Sequence, residues 1–141
     1  MNSVKVNTIS TNEELITFFN NWHNGSYPIN MHGIESERID YVLGLISSNS
    51  NLKINNILDH GCGQSSWTYL LKKHFSKAAI TGIDISPNGI MISKSLYPEY
   101  DFIQADLQDI PVPNETYDFI FSYHVLDAVF DFEKSISEIY R

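Results

Sequence analysis

Two glycines and a handful of carboxylates carry the chemistry of this 141-residue chain. In Ile57-Leu58-Asp59-His60-Gly61-Cys62-Gly63-Gln64-Ser65-Ser66 an apolar run meets an acid and then a Gly-x-Gly turn. About twenty residues later, Ala79-Ile80-Thr81-Gly82-Ile83-Asp84 ends in a second acid. A strand, a glycine turn, a helix and an acid at the tip of the next strand together make a half-site for a nucleoside cofactor. The glycines admit the cofactor to the backbone, and the acid accepts hydrogen bonds from a ribose.

Two features bear on which cofactor. In a dinucleotide-binding G-x-G-x-x-G pattern the third glycine would fall at Ser66. The same mouth also gathers acids: Asp59, Asp84, Asp106 after a third strand and Asp127 after a fourth. A ring of carboxylates repels a diphosphate but suits a cofactor bearing a sulfonium and an ammonium group. S-adenosylmethionine carries both, whereas a nicotinamide-dependent reductase is disfavoured on both counts.

The bulk properties narrow the partners. Apolar residues make up 43% of the chain and charged residues 18%, enough for a packed core. A net charge of -8 argues against a nucleic-acid surface, since no basic stripe is there to neutralise phosphates. Neither an apolar leader nor a membrane-length run is visible, so no membrane partner is expected. The single cysteine, Cys62, excludes an internal disulfide and fits a reducing, cytoplasmic setting. His23, His32, His60 and His74 lack metal-ligand spacing, so no metal is assigned. His124 follows the fourth strand, where it reads equally well as a general base or as a wall residue.

The elements that must position these groups follow from periodicity. Ser10 and Thr11, with Glu13 and Glu14, offer overlapping capping boxes for a helix bearing Leu15, Phe18, Phe19 and Trp22. That aromatic stripe reads as core, and Asn24-Gly25-Ser26-Tyr27-Pro28 ends the helix. Tyr27 and His32 read as surface or packing residues more readily than as a cover over the cofactor. A second helix is expected from Ser36 to about Ile46, with Ile39, Val42, Leu43 and Ile46 on one face. Strands are then expected near Ile57–Asp59, up to Asp84, at Tyr100–Gln104 and at Tyr117–Tyr123. Between them come a helix carrying Trp67, Leu70, Leu71 and Phe75, and another opened by Ser86-Pro87. Asp131 caps a last helix bearing Phe132, Ile136, Ile139 and Tyr140. This alternation implies a parallel α/β sheet with right-handed crossovers. Residues 1–50 form a helical segment packed on a cofactor-binding core at 51–141.

From Ile57 to Arg141 the chain resembles the class I S-adenosylmethionine-dependent methyltransferases that modify small molecules. Asp59-His60-Gly61-Cys62-Gly63 resembles the family's first motif, with Ser65 where a third glycine is usual. Gly82-Ile83-Asp84-Ile85-Ser86 resembles the second. Gln104-Ala105-Asp106-Leu107 through Ile110-Pro111 resembles the third, and Tyr117-Asp118-Phe119-Ile120-Phe121-Ser122 the fourth. The resemblance implies a Rossmann-like fold with sheet order 3-2-1-4, helices on both faces and a helical extension before it. It implies that Gly61, Cys62 and Gly63 meet the cofactor, that Asp59 helps to place its amino end and that Asp84 takes the ribose hydroxyls. Ile85 would pack on the adenine, Asp106 with the Leu107 backbone would read its edge, and Ser122 and Tyr123 would line the pocket behind the sulfonium.

The family's fifth strand and late hairpin are absent, so the resemblance implies a sheet that stops at the fourth strand. A homo- or hetero-oligomeric partner is expected to cover that edge. The implied reaction is methyl transfer from S-adenosyl-L-methionine to a small-molecule acceptor, yielding S-adenosyl-L-homocysteine, with His124 or Tyr123 as optional proton acceptors. The alternative is a non-catalytic subunit of the same fold that stabilises or regulates an active partner.

Overall fold

The structure, a computed structural model, describes residues 9–24 and 33–141. Its four apolar runs become parallel strands: β1 Asn56–His60, β2 Ala79–Asp84, β3 Asp101–Gln104 and β4 Phe119–Ser122. They lie in the order β3-β2-β1-β4, as the resemblance implies. Five helices accompany them among the described residues: α1 Asn12–Trp22, α2 Ile34–Ser47, α3 Thr68–His74, α4 Pro87–Leu96 and α5 Phe132–Tyr140. No helix among the described residues is long and apolar enough to cross a membrane. Tyr27 and His32 lie outside the described residues, as does most of the break after α1.

Local signals set the helix starts. Thr11 and Glu14 form the capping box of α1. The Ser86 hydroxyl accepts from Gly89 N ahead of Pro87 in α4, and Asp131 accepts from Lys134 N in α5. The fourth strand is shorter than expected, because Asp118 is a clasp and not a strand residue. Its carboxylate accepts from both Asn55 N and Asn56 N at 2.9 Å, pinning the base of β1. The second helix begins two residues earlier than expected, at Ile34.

Both faces of the sheet are covered. On one, Ile57 and Ile80 pack with Leu43 of α2 and Leu70 and Leu71 of α3, and Phe119 and Phe121 extend that layer. On the other, Leu58 and Ile83 pack with Leu107, Ile110 and Val125, flanked by Ile120. Each fully buried aliphatic side chain contributes about 1.5–3 kcal/mol, so β1 and β2 anchor the core. Gly82 leaves room for this packing: a Cβ there would lie 2.5 Å from the Phe102 ring.

Three helices depart from the expected faces. In α2, Ile39 and Leu43 are buried but Val42 turns to solvent. In α1, Leu15 is buried while Phe18 and Trp22 are exposed. The α1 stripe is therefore not core; the helix lies across the strand ends and not on a sheet face. In α5 the buried residue is Ser135, and Phe132, Ile136 and Tyr140 are exposed. Polar ties hold that helix instead: Glu138 accepts from Ile110 N, and Arg141 donates to the Val112 carbonyl and to Asn114 Oδ1.

The end of β1 carries two buried polar side chains. Asp59 is 3% exposed and accepts from the Thr68 hydroxyl at 3.1 Å. Burial pushes its carboxyl up to about 7. His60 is fully buried, with Nδ1 3.1 Å from the Ser122 hydroxyl, and burial pushes its imidazole down to about 4. Between about 4 and 7 the folded chain keeps the Asp59 proton that the unfolded chain has released, so this group's contribution to stability is lost as pH rises through 7. His60 acts in the opposite sense, its contribution falling away as pH drops from 6.5 toward 4. Asp59→Asn keeps an acceptor for Thr68 and cannot ionise. It is expected to exceed the wild type in unfolding free energy by about 2–4 kcal/mol at pH 8 and to match it near pH 4. Urea titrations at the two pH values measure this, and a difference that does not grow with pH refutes it.

Candidate functional site

Because all four strands run the same way, their C-terminal ends share one edge, and a cavity of about 380 Å³ opens there. Its floor is the turn after β1, Gly61 to Gln64, with Ser66 and Trp67 beyond it. One side is the tip of β2, Asp84 and Ile85, and the loop after β3, Asp106 to Gln108. The other is the loop after β4, where Tyr123, His124, Val125, Ala128 and Val129 contribute. Leu15, Phe19, Trp22 and His23, from α1 and its C-cap, form the roof.

The turn needs its glycines. Gly61 has φ +75°, and a Cβ on it would stand 2.3 Å from a Val125 methyl carbon. Gly63 has φ +54°. Gly61 N and Cys62 N both donate to the Ile83 carbonyl, at 2.8 and 3.0 Å, which moors the turn to β2. Ser65 occupies the left-handed region at φ 59°, a conformation that glycine adopts more readily.

Asp84 stands where the two loops meet. One carboxylate oxygen accepts from Gly63 N and the other from Ser86 N, each at 2.8 Å. Each oxygen therefore retains acceptor capacity. Burial raises its pKa, against the pull of those two amides and of His23. Asp106, half-buried, accepts from Asn12 Nδ2 at 2.8 Å and from Gln108 N and Nε2 at 2.9 and 3.0 Å. Gln108 Oε1 in turn accepts from Asp131 N at 2.6 Å, so this carboxylate links the start of α1 to the start of α5.

Past β4, the Tyr123 ring stands edge-on to Trp67 at 5.1 Å and to His124 at 4.4 Å. His124 is exposed and has φ 54°, a backbone conformation that bulky residues adopt at a cost.

Nine of the residues singled out from the sequence thus meet around one cavity: Gly61, Cys62, Gly63, Asp84, Ile85, Asp106, Leu107, Tyr123 and His124. Asp59 and Ser122 do not line it; Asp59 lies beneath the turn against Thr68, and Ser122 sits behind it against His60. Asp127 is exposed and also off the lining, so the expected ring of four acids reduces to Asp84 and Asp106 at the wall. Among the described residues no Lys or Arg lines the cavity, and no cluster of His, Cys, Asp and Glu forms a metal site. The sequence reading missed the roof. Leu15, Phe19 and Trp22 recur at i, i+4 and i+7, but helical spacing does not say which surface a stripe meets.

A family model described as a methyltransferase domain matches residues 58–141. Trans-aconitate 2-methyltransferase of Klebsiella pneumoniae (strain 342) is 36% identical over 73 residues, covering 52% of this chain and 29% of that enzyme. The plantazolicin methyltransferase BpumL, solved with a monoazolic desmethylPZN analog and SAH, superposes with a TM-score of 0.64 at 19% identity. That match covers 90% of this chain and 47% of BpumL. The [4+2]-cyclase SpnF superposes with a TM-score of 0.66 at 20% identity, over 92% of this chain and 55% of SpnF. The chain therefore spans under a third of the curated relative and about half of the solved neighbours. The structural likenesses establish the fold, which hosts a cyclase as well as methyltransferases. With the model matching well over half of its length, the chain belongs to the methyltransferase-domain family, on the class I Rossmann-like fold.

Proposed function

We propose that this chain binds S-adenosylmethionine in the cavity at the strand ends and serves methyl transfer to a small, largely uncharged acceptor. The observation that carries the reading is Asp84, a buried carboxylate bonded to the glycine turn, in a cavity whose described lining holds no Lys or Arg. That acceptor and that lining fit a cofactor with a ribose and a cationic sulfonium, and they disfavour a diphosphate. Gly61 and Gly63 shape the turn itself: both take positive φ, Gly61 makes way for Val125 and Gly63 for the His23 ring. Bound there, the cofactor would supply an electrophilic methyl group.

The chain's own residues bind, orient and exclude water. Asp84 accepts from the ribose, Ile85 packs on the adenine, and Asp106 with the Leu107 backbone reads its edge. Gly61, Cys62 and Gly63 form the floor under the methionine portion. Asp59 steadies that floor from below through Thr68, and Ser122 steadies β4 through His60. Tyr123 and His124 stand on the wall next to the acceptor, where either can take a proton from an O or N nucleophile. The aromatic roof of α1 excludes water, and most of the rate enhancement comes from holding the acceptor in line.

The same lining speaks to the acceptor. A polycarboxylate needs cationic partners, and none lines the cavity among the described residues. Phe19, Trp22, Trp67 and Tyr123 offer flat apolar surface instead. A free edge of β4, paired only with β1 among the described residues, further supports a partner chain or second copy covering it. The lone, buried Cys62 suits a cytoplasmic setting.

Four measurements test this reading. Calorimetric titration with S-adenosylhomocysteine is expected to show micromolar binding, weakened at least tenfold by Asp84→Ala, a loss of about 1.4 kcal/mol or more. Absence of binding by folded wild type removes the cofactor reading. Retained partner activity with Asp84→Ala in a reconstituted complex favours the non-catalytic subunit. In an assay of S-adenosylhomocysteine release, p-cresol is expected to outperform trans-aconitate as acceptor, and the reverse order overturns the uncharged-acceptor assignment. Sedimentation at micromolar concentration is expected to give a dimer or larger species, whereas a stable monomer argues against a second copy on β4.

A further inference from the structure

His23 was set aside in the sequence as one of several scattered histidines, yet the structure brings it into the cavity. It is the C-cap of α1, and its backbone N–H donates to the Phe19 carbonyl at 2.9 Å. Its carbonyl accepts from Gln64 Nε2 at 3.0 Å, which ties the end of α1 to the glycine turn. Its ring stacks on Phe19 at a centroid distance of 6.3 Å. Only 8% of the residue is exposed.

The two ring nitrogens have different surroundings. A Cβ on Gly63 would stand 3.1 Å from Nε2, so this nitrogen faces the turn that Asp84 holds. A Cβ on Gly89 would stand 3.1 Å from Nδ1, which therefore faces the first turn of α4. Nδ1 is buried and has no hydrogen-bond partner. The positive end of α4 favours a lone pair over a proton at that position. The proton of a neutral imidazole then belongs on Nε2, toward the cavity. Burial also lowers the pKa of His23, against the attraction of Asp84.

We propose that His23 is a cofactor-binding residue whose Nε2–H donates to a ribose hydroxyl of the nucleoside that Asp84 accepts from. A hydroxyl can donate to Asp84 and accept from His23 at once, so the pair reads it from both sides. Gly63 N cannot supply that donor, because Asp84 already occupies it. Because the donor sits on the α1 cap, the helix that carries the aromatic roof also holds the ribose. This inference rests on the cofactor reading above.

The test is calorimetry on the full chain with S-adenosylhomocysteine and with its 2′,3′-dideoxy analogue, using wild type, His23→Phe and His23→Gln. Phe keeps the stacking on Phe19 and removes the donor; Gln restores a donor near the Nε2 position. His23→Phe is expected to weaken S-adenosylhomocysteine about tenfold while leaving the dideoxy analogue within about twofold, and His23→Gln to recover most of the loss. Equal loss for both ligands, or no loss for either, overturns the assignment while leaving the cofactor reading intact. No binding of S-adenosylhomocysteine by the wild type overturns both. Ligand-free melting temperatures of the three proteins identify any variant that loses affinity through misfolding; where His23→Phe does, His23→Leu replaces it as the donor-free variant under the same expected and overturning outcomes.

Discussion

The Asp84 carboxylate is the interaction on which the rest of the site depends. Its two oxygens hold Gly63 N and Ser86 N, so one side chain closes the turn after β1 and the entry to α4 together. The turn is fastened to β2 again through the Ile83 carbonyl. Charge on Asp84 is costly at this depth, and the two amides and His23 offset part of that cost. Its oxygens keep acceptor capacity on a wall with no lining cation among the described residues, so water meets it in the free chain and, on the reading proposed above, a ribose in the bound one.

Parallel pairing explains why the site lies where it does. β1 sits between β2 and β4; the chain leaves β1 for α3 on the Ile57 face, whereas it leaves β4 for α5, tied to Leu107 and Ile110 of the Leu58 face. Connections that diverge from a shared edge leave a crevice above the central strand, and ligands of open α/β sheets bind there. The carboxyl ends of β1, β2 and β3 bring Gly61, Asp84 and Asp106 to that crevice from positions far apart in sequence. The family reading is thus a consequence of topology as much as of motif.

What could be read from the sequence was whatever local chemistry determines. Thr11 with Glu14, Ser86 with Pro87, and Asp131 each mark a helix start through a bond spanning three residues, and all three form. The strands followed from apolar runs broken by turns, and their order from the family resemblance. The misplaced features are tertiary. Asp118 looks like part of a strand until its carboxylate is seen to bind the amides of Asn55 and Asn56, more than sixty residues away. Val42 lies within the apolar arc of α2, but α3 meets only the side that holds Ile39 and Leu43. Asp59 carries the right side chain for the mouth of the site, yet strand alternation turns it toward Thr68. The α1 stripe is the most instructive case. Its periodicity was plain, but an apolar face covers a core and roofs a cavity equally well.

Local rules are broken mainly where the cavity is. Of the three non-glycine residues with positive φ among the described residues, Ser65 lies in the turn after β1 and His124 lines the cavity past β4. The buried, unpartnered Nδ1 of His23 lies in its roof, and the ionisable pair Asp59 and His60 lies at the end of β1 just beneath. Each of these costs folding free energy, by strain, desolvation or a missing hydrogen bond. A sequence selected only to fold would place glycine at position 65 and an apolar side chain at position 59. Their concentration at one edge of an otherwise apolar, regularly paired sheet is the pattern expected where stability is given up for a binding role, which is the role proposed for this edge. The third positive-φ residue, Glu115, lies in the loop before β4, where its N–H donates to the Arg141 carbonyl. There the same backbone conformation serves only to fasten α5, so strain acquires functional meaning when it coincides with the cavity and not from its presence alone.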